Sequence, residues 1–140
     1  MNYLKSFYSG RLNRRTFLVG FIIYFVVYLV ISLLFGGIAY SGSYGSGYSP
    51  ISLIIMIILL VIFLSFLTKR WHDLGRSGWY SAIFLVIGAL TIVPAIGFIA
   101  SLAAFALLLY LFLAPGKAGS NMYGSQPGDA LELGKLYSYK

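Results

Sequence analysis

Three uncharged stretches dominate the chain. From Phe17 to Tyr40, 24 residues pass without an ionisable side chain at neutral pH, and from Ile51 to Leu67 another 17 do so. A helix of about 20 residues crosses the hydrocarbon core of a bilayer, so each run predicts one span, the shorter with little tilt. The third stretch, Trp79 to Ala114, holds 36 residues and would be about 54 Å long as one helix. That is too long for a single crossing. Pro94, flanked by Gly88 and Gly97, removes a backbone donor and disfavours helix in the residue before it. The stretch therefore predicts a tight hairpin of two helices, Ser77 to Val93 and Ala95 to Leu113.

The expected fold class is an all-α integral membrane protein with four transmembrane helices arranged as two hairpins, at about 17–40, 51–68, 77–93 and 95–113. They form one membrane domain over 1–127. The first link, 41–50, reads SGSYGSGYSP, uncharged loop chemistry. The end of the chain, 115–140, is a polar Gly-rich tail expected to be irregular or loosely ordered. A cleaved signal peptide is the competing reading of the first run, but signal cores span only about 7 to 15 residues. Small residues at Gly97, Ala100, Ser101, Ala103 and Ala104 let helix backbones approach closely in lipid, within one monomer in preference to a dimer interface.

Composition agrees with lipid as the solvent: 60% of residues are hydrophobic and 9% charged, against about 25% charged in soluble domains. Ten Lys and Arg against three Asp and Glu give a net charge of +7. These cations flank apolar runs instead of forming a basic domain with its own core, which argues against nucleic acid. With four spans every one falls on one side: Lys5, Arg11, Arg14 and Arg15; Lys69, Arg70 and Arg76; Lys117, Lys135 and Lys140. Short cytoplasmic loops carry such an excess, so both termini are expected in the cytoplasm. A three-span fold, the runner-up, would send the last three lysines outside. Trp71, Trp79 and Tyr80 on the inner side, and Tyr40, Tyr44 and Tyr48 on the outer, suit interfacial aromatic belts. Absence of cysteine excludes disulfides and thiolate chemistry.

Three polar clusters remain, all on the cytoplasmic side of this fold: GRLNRR at 10–15, KRWHDLGRSGW at 69–79 and GSNMYGSQP at 119–127. The middle one is the densest. Gly75 and Gly78 permit a sharp turn, Ser77 is placed to cap the third helix, and Arg76 beside that helix start makes an anion-binding corner. Asp73 lies three residues from both Arg70 and Arg76, within reach of a local ion pair, and a structural clamp is its expected job. His72 with Asp73 would be the catalytic pair of a headgroup enzyme, but adjacent helix residues point apart and spacing positions no nucleophile. Joined by Asp129 or Glu132, His72 offers no ligand-spaced pair; no metal and no cofactor are expected. For Arg11, Arg14 and Arg15 the plainest role is topology. Asn121, Tyr123 and Gln126, set among glycines, are suited to fold back on the loop face, or belong to a solvated tail.

The order and spacing of these motifs resemble the domain of unknown function 805 family of small bacterial inner-membrane proteins, over Phe7 to about Pro127. Its R-x-H-D-x-G-x-S-G-W element stands here as Arg70, His72, Asp73, Gly75, Ser77, Gly78 and Trp79. The supporting elements are Gly10, Arg11 and Arg14, then Gly119, Asn121, Tyr123, Gly124 and Pro127. Leu18 stands where members often carry Trp, and Gln126 where an acidic residue is common. The resemblance implies a bacterial plasma-membrane location and no established activity.

The function expected is binding: anionic lipid headgroups, or a membrane or cytoplasmic protein partner, held by a non-enzymatic cytoplasmic face. The residues named for it are Arg11, Arg14, Arg70, His72, Asp73, Gly75, Arg76, Ser77, Gly78, Trp79, Asn121 and Tyr123. The alternatives are a component of a small-solute transporter or channel, weakened by the lack of ionisable groups within the spans, and the headgroup enzyme.

Overall fold

The computed structural model describes residues 8–40 and 50–136. Helix α1 runs Arg14–Tyr40 and α2 Pro50–Asp73; a 3-10 turn, Gly78–Ser81, leads into α3, Ala82–Leu90, and α4 is Pro94–Leu113. A last 3-10 turn is Leu133–Leu136. The loop at 41–49, with Tyr44 and Tyr48, and the cations Lys5 and Lys140 lie outside the described residues.

The described helices α1, α2 and α4 are long and apolar enough to cross a membrane. The fourth apolar unit, Gly78–Leu90, is shorter: four 3-10 and nine α residues rise about 20 Å, less than the roughly 30 Å of the hydrocarbon core. The expected third helix of 77–93 is thus cut back at both ends. At its start Ser77 does cap, accepting from the Trp79 amide. At its end Thr91 to Val93 form the turn, Val93 is extended, and Pro94 occupies the first turn of α4, where its missing donor costs nothing. Gly97 is needed there, because a Cβ on it would strike the Thr91 carbonyl.

Helix starts and stops follow from particular side chains. Asn13 caps α1: its Oδ1 accepts from the Thr16 amide at 2.7 Å, and this is why α1 begins before the apolar run. Helix α2 continues past Thr68 through the charged turn to Asp73, then ends at Gly75. With φ of 73°, Gly75 lets the Arg76 amide donate to the Trp71 carbonyl at 2.9 Å and its own amide to that of His72 at 3.0 Å, a Schellman ending that L side chains resist.

The buried core is small and lies at one end, where Leu12, Phe17, Leu67, Trp71 and Leu111 meet. From it an aromatic ladder climbs between α1, α2 and α4: Phe17 on Phe112 at 5.3 Å, Phe21 on Phe112 at 5.2 Å, Tyr24 on Phe63 at 5.4 Å. Elsewhere the helices turn large apolar side chains outward, Leu33, Phe98 and Leu113 among them. Such a surface is stable in hydrocarbon and not in water.

Asn13 has a second duty. Its Nδ2 donates to the carbonyls of Gly128 at 2.5 Å and Ala130 at 2.8 Å, so the cap of α1 also fastens the C-terminal segment. Asn13→Ala is expected to cost about 1 to 2 kcal/mol, the upper part of the N-cap range, and to raise amide exchange of residues 128–132. Exchange confined to the first turn of α1 would show that the fastening is unimportant.

Candidate functional site

Asp73 ends α2, and two arginines reach its carboxylate from different segments. Arg70, one turn back on the same helix, donates from Nη1 to Oδ2 at 2.5 Å. Arg11, from the stretch before α1, donates from Nε to Oδ1 at 3.1 Å. Arg70 is fully buried and Arg11 only 4% exposed. Charges taken out of water need all their hydrogen bonds met, and here the remaining guanidinium donors go to backbone carbonyls. Arg70 serves Leu111 at 2.8 Å, Ala114 at 2.5 Å and Leu12 at 3.3 Å. Arg11 serves Lys117 at 2.5 Å and Gly119 at 2.6 Å, with longer contacts to Asp73 and Gly124. Leu111 and Ala114 close α4, whose last carbonyls have no helical partner. The triad thereby ties together the segment before α1, the end of α2, the end of α4 and the chain beyond it.

This end of α2 projects past the uncharged 51–67 portion. Burial raises the Asp73 carboxyl above the ordinary carboxylate range, against the pull of Arg70 and Arg11. Burial also lowers Lys69 to about 8; its ammonium donates to the carbonyls of Lys135 and Leu136, both at 3.0 Å. Gly116 lies against the carboxylate so closely that a Cβ there would overlap Asp73 Oδ1 and Oδ2.

His72 faces the other way. Its Nδ1 lies 3.2 Å from the Gly10 carbonyl and its ring stacks on Tyr123 at 3.7 Å, nearly parallel. Asn121 completes the contact, donating from Nδ2 to the His72 carbonyl at 2.9 Å while its Oδ1 accepts from the Tyr123 amide at 2.9 Å. The tail residues Asn121 and Tyr123 are thus folded onto the loop, as one of the two sequence readings had it. Burial lowers the imidazole's affinity for a proton, partly offset by the Gly10 contact.

Among the described residues Arg76 pairs with no carboxylate. Its guanidinium lies 5.9 Å from the Tyr80 ring centroid, a cation–π distance, so the local Asp73 pair is made with Arg70 alone. Arg14, Arg76, Ser77, Gly75 and Lys117 are exposed, and Trp79 is 85% exposed. Arg14 and Lys117 line a polar hollow of about 200 Å³ with Gln126 and Asp129 at its rim. Asp73 points at arginines and His72 at a backbone carbonyl, so among the described residues no His–Asp relay is assembled.

Sequence reasoning did not single out Asn13, Gly116 or the carbonyl of Gly10. Asn immediately before an apolar helix is a cap signal and was readable. Gly116 was not, because its importance comes from a carboxylate 43 positions away.

No curated protein and no solved structure is matched by the chain. A family model described as "Protein of unknown function (DUF805)" matches residues 6–125. With its three motifs gathered around one buried arginine–aspartate triad, the chain belongs to the DUF805 family.

Proposed function

We propose that the protein is a non-enzymatic membrane protein of the bacterial plasma membrane that binds anionic lipid headgroups with its cytoplasmic end. In this reading the chain crosses four times, as two hairpins, and both termini face the cytoplasm. The short Gly78–Leu90 unit makes the third crossing and thins the bilayer locally, at a modest cost per ångström of mismatch.

One observation carries the reading. Among the cations of this end, Arg11, Lys69 and Arg70 are buried and hold the cap together, while Arg14, Arg15, Arg76 and Lys117 stay exposed around it. A prebuilt rigid base with outward positive charge suits the negative surface of an anionic leaflet. Each exposed cation near such a surface contributes about 1 kcal/mol. The triple variant Arg14→Gln, Arg76→Gln, Lys117→Gln is therefore expected to lose retention of phosphatidylglycerol and cardiolipin by on the order of a hundredfold. Mass spectrometry of intact protein released from membranes measures this. Unchanged lipid retention defeats the proposal, and a co-released protein lost only in the variant moves the surface to a protein partner instead.

A further inference from the structure

A groove of about 500 Å³ lies between the end of α2 and the start of α3, with Leu64, Ala82 and Leu85 along its apolar wall and Ser77, Gly78 and His72 at its polar end. Its apolar wall belongs to helices whose outer faces meet hydrocarbon, and its polar end belongs to the cationic cap. Thr68 and Ser81 also line it, but their hydroxyls are paired with each other at 3.0 Å.

The informative atom is His72 Nε2. A carbonyl oxygen can only accept, so the contact with Gly10 fixes the hydrogen of the neutral ring on Nδ1 and leaves Nε2 as an acceptor. The residue is only 8% exposed, and its ring lines the groove. Among the described residues Nε2 has no hydrogen-bond partner. Glycine at position 78 is what leaves its edge open, because a Cβ there would stand 3.0 Å from Nε2. Burial holds the ring neutral, so the lone pair persists near neutral pH.

We infer that this groove holds one glycerophospholipid, an acyl chain against Leu64 and Leu85 and a headgroup hydroxyl donating to His72 Nε2. This rests on the reading of the cationic end as a lipid-binding face, and adds a site and a selectivity to it. Surface cations recognise phosphate charge, whereas a neutral acceptor at the polar end of an apolar groove recognises a donor. A site that hydrogen-bonds a hydroxyl rejects the analogue lacking it, because its own polar group is then left unpaired.

His72 is the chain's single histidine, so its ring nitrogens can be observed alone. Full-length protein carrying ¹⁵N-histidine, in maltoside micelles, is titrated with phosphatidylglycerol or with phosphatidylmethanol of the same acyl chains. Both lipids bear one negative charge, but only the first has headgroup hydroxyls. Phosphatidylglycerol is expected to move the Nε2 resonance saturably and to bind at least about tenfold tighter. Two variants are read by lipid retention: His72→Phe keeps a ring to stack on Tyr123 and should bind both lipids alike, and Leu85→Trp, which fills the apolar wall, should lose the preference with the His72–Tyr123 stack intact. Equal binding of both lipids by the wild type, with Nε2 unmoved, overturns the groove assignment and leaves the charged surface standing. Binding of neither lipid overturns both.

Discussion

Asp73→Ala is expected to destabilise the protein by about 3 to 5 kcal/mol, because it leaves Arg11 and Arg70 buried without a counter-charge. Breaking a buried pair from one side costs far more than the pair contributes, since the orphaned ion cannot regain water. Replacing a whole buried ion network with apolar residues can be neutral elsewhere. Here it is not expected to be, because the two arginines also donate to backbone carbonyls, Arg70 to those of Leu12, Leu111 and Ala114 and Arg11 to those of Lys117 and Gly119, whereas the carbonyls of Asp73 and Gly124 have amide donors of their own. An Asp73→Leu, Arg11→Met, Arg70→Met variant should therefore remain well below wild type, each stranded buried carbonyl costing about 1 to 3 kcal/mol. Unfolding in detergent, followed by emission of the buried Trp71 in a Trp79→Phe background, gives both numbers. A loss under about 1 kcal/mol for Asp73→Ala would mean the triad is solvated and not structural.

The length of the uncharged apolar runs carried most of the helical architecture, and the physical reason is simple. Hydrocarbon demands long uncharged helices, and that demand is written residue by residue from Phe17, from Ile51 and on either side of Pro94. The boundaries were less legible. Helix α1 starts at Arg14 because of the Asn13 cap, and α2 runs on to Asp73 because its charged last turn is buried by other segments. The third helix is short because Gly78–Ser81 tightens into a 3-10 turn at its start and Thr91 to Val93 leave the helix at its end, differences of local hydrogen bonding that hydropathy does not encode.

The site was legible as a set of residues and not as a set of roles. Motif spacing brought Arg70, His72 and Asp73 to notice together, yet the helix sends His72 to Gly10 and Tyr123 and Asp73 to the arginines. Adjacent residues on a helix point about 100° apart, so sequence neighbours here serve separate networks. The irregular segment after Pro115 has no hydrophobic period, and none is needed, because its order comes from partners far back in the chain: Asn121 and Tyr123 are held by His72. Lys117 and Gly119 are held by Arg11, and Gly128 and Ala130 by Asn13.

Arg11 and Arg14 give the sharpest contrast between equal changes of charge. Each is a cation just before or at the start of α1, and a rule that counts positive charge beside a span treats them alike. Their surroundings differ completely. Arg11 is buried against Asp73, Lys117 and Gly119, whereas Arg14 is exposed and its charge works against that of the buried Arg70. Arg11→Gln should cost about 3 kcal/mol, since a shorter neutral amide cannot reach the same carbonyls and half of the Asp73 charge compensation is gone. Amides that the cap protects, those of Lys117, Asn121 and Gly124, should then exchange with solvent orders of magnitude faster. Arg14→Gln should change stability by no more than about 0.5 kcal/mol and leave that protection intact. Hydrogen exchange of the peptide spanning residues 116–126 decides the matter. Equal protection in the two variants would reduce Arg11 to one more positive charge at the membrane border.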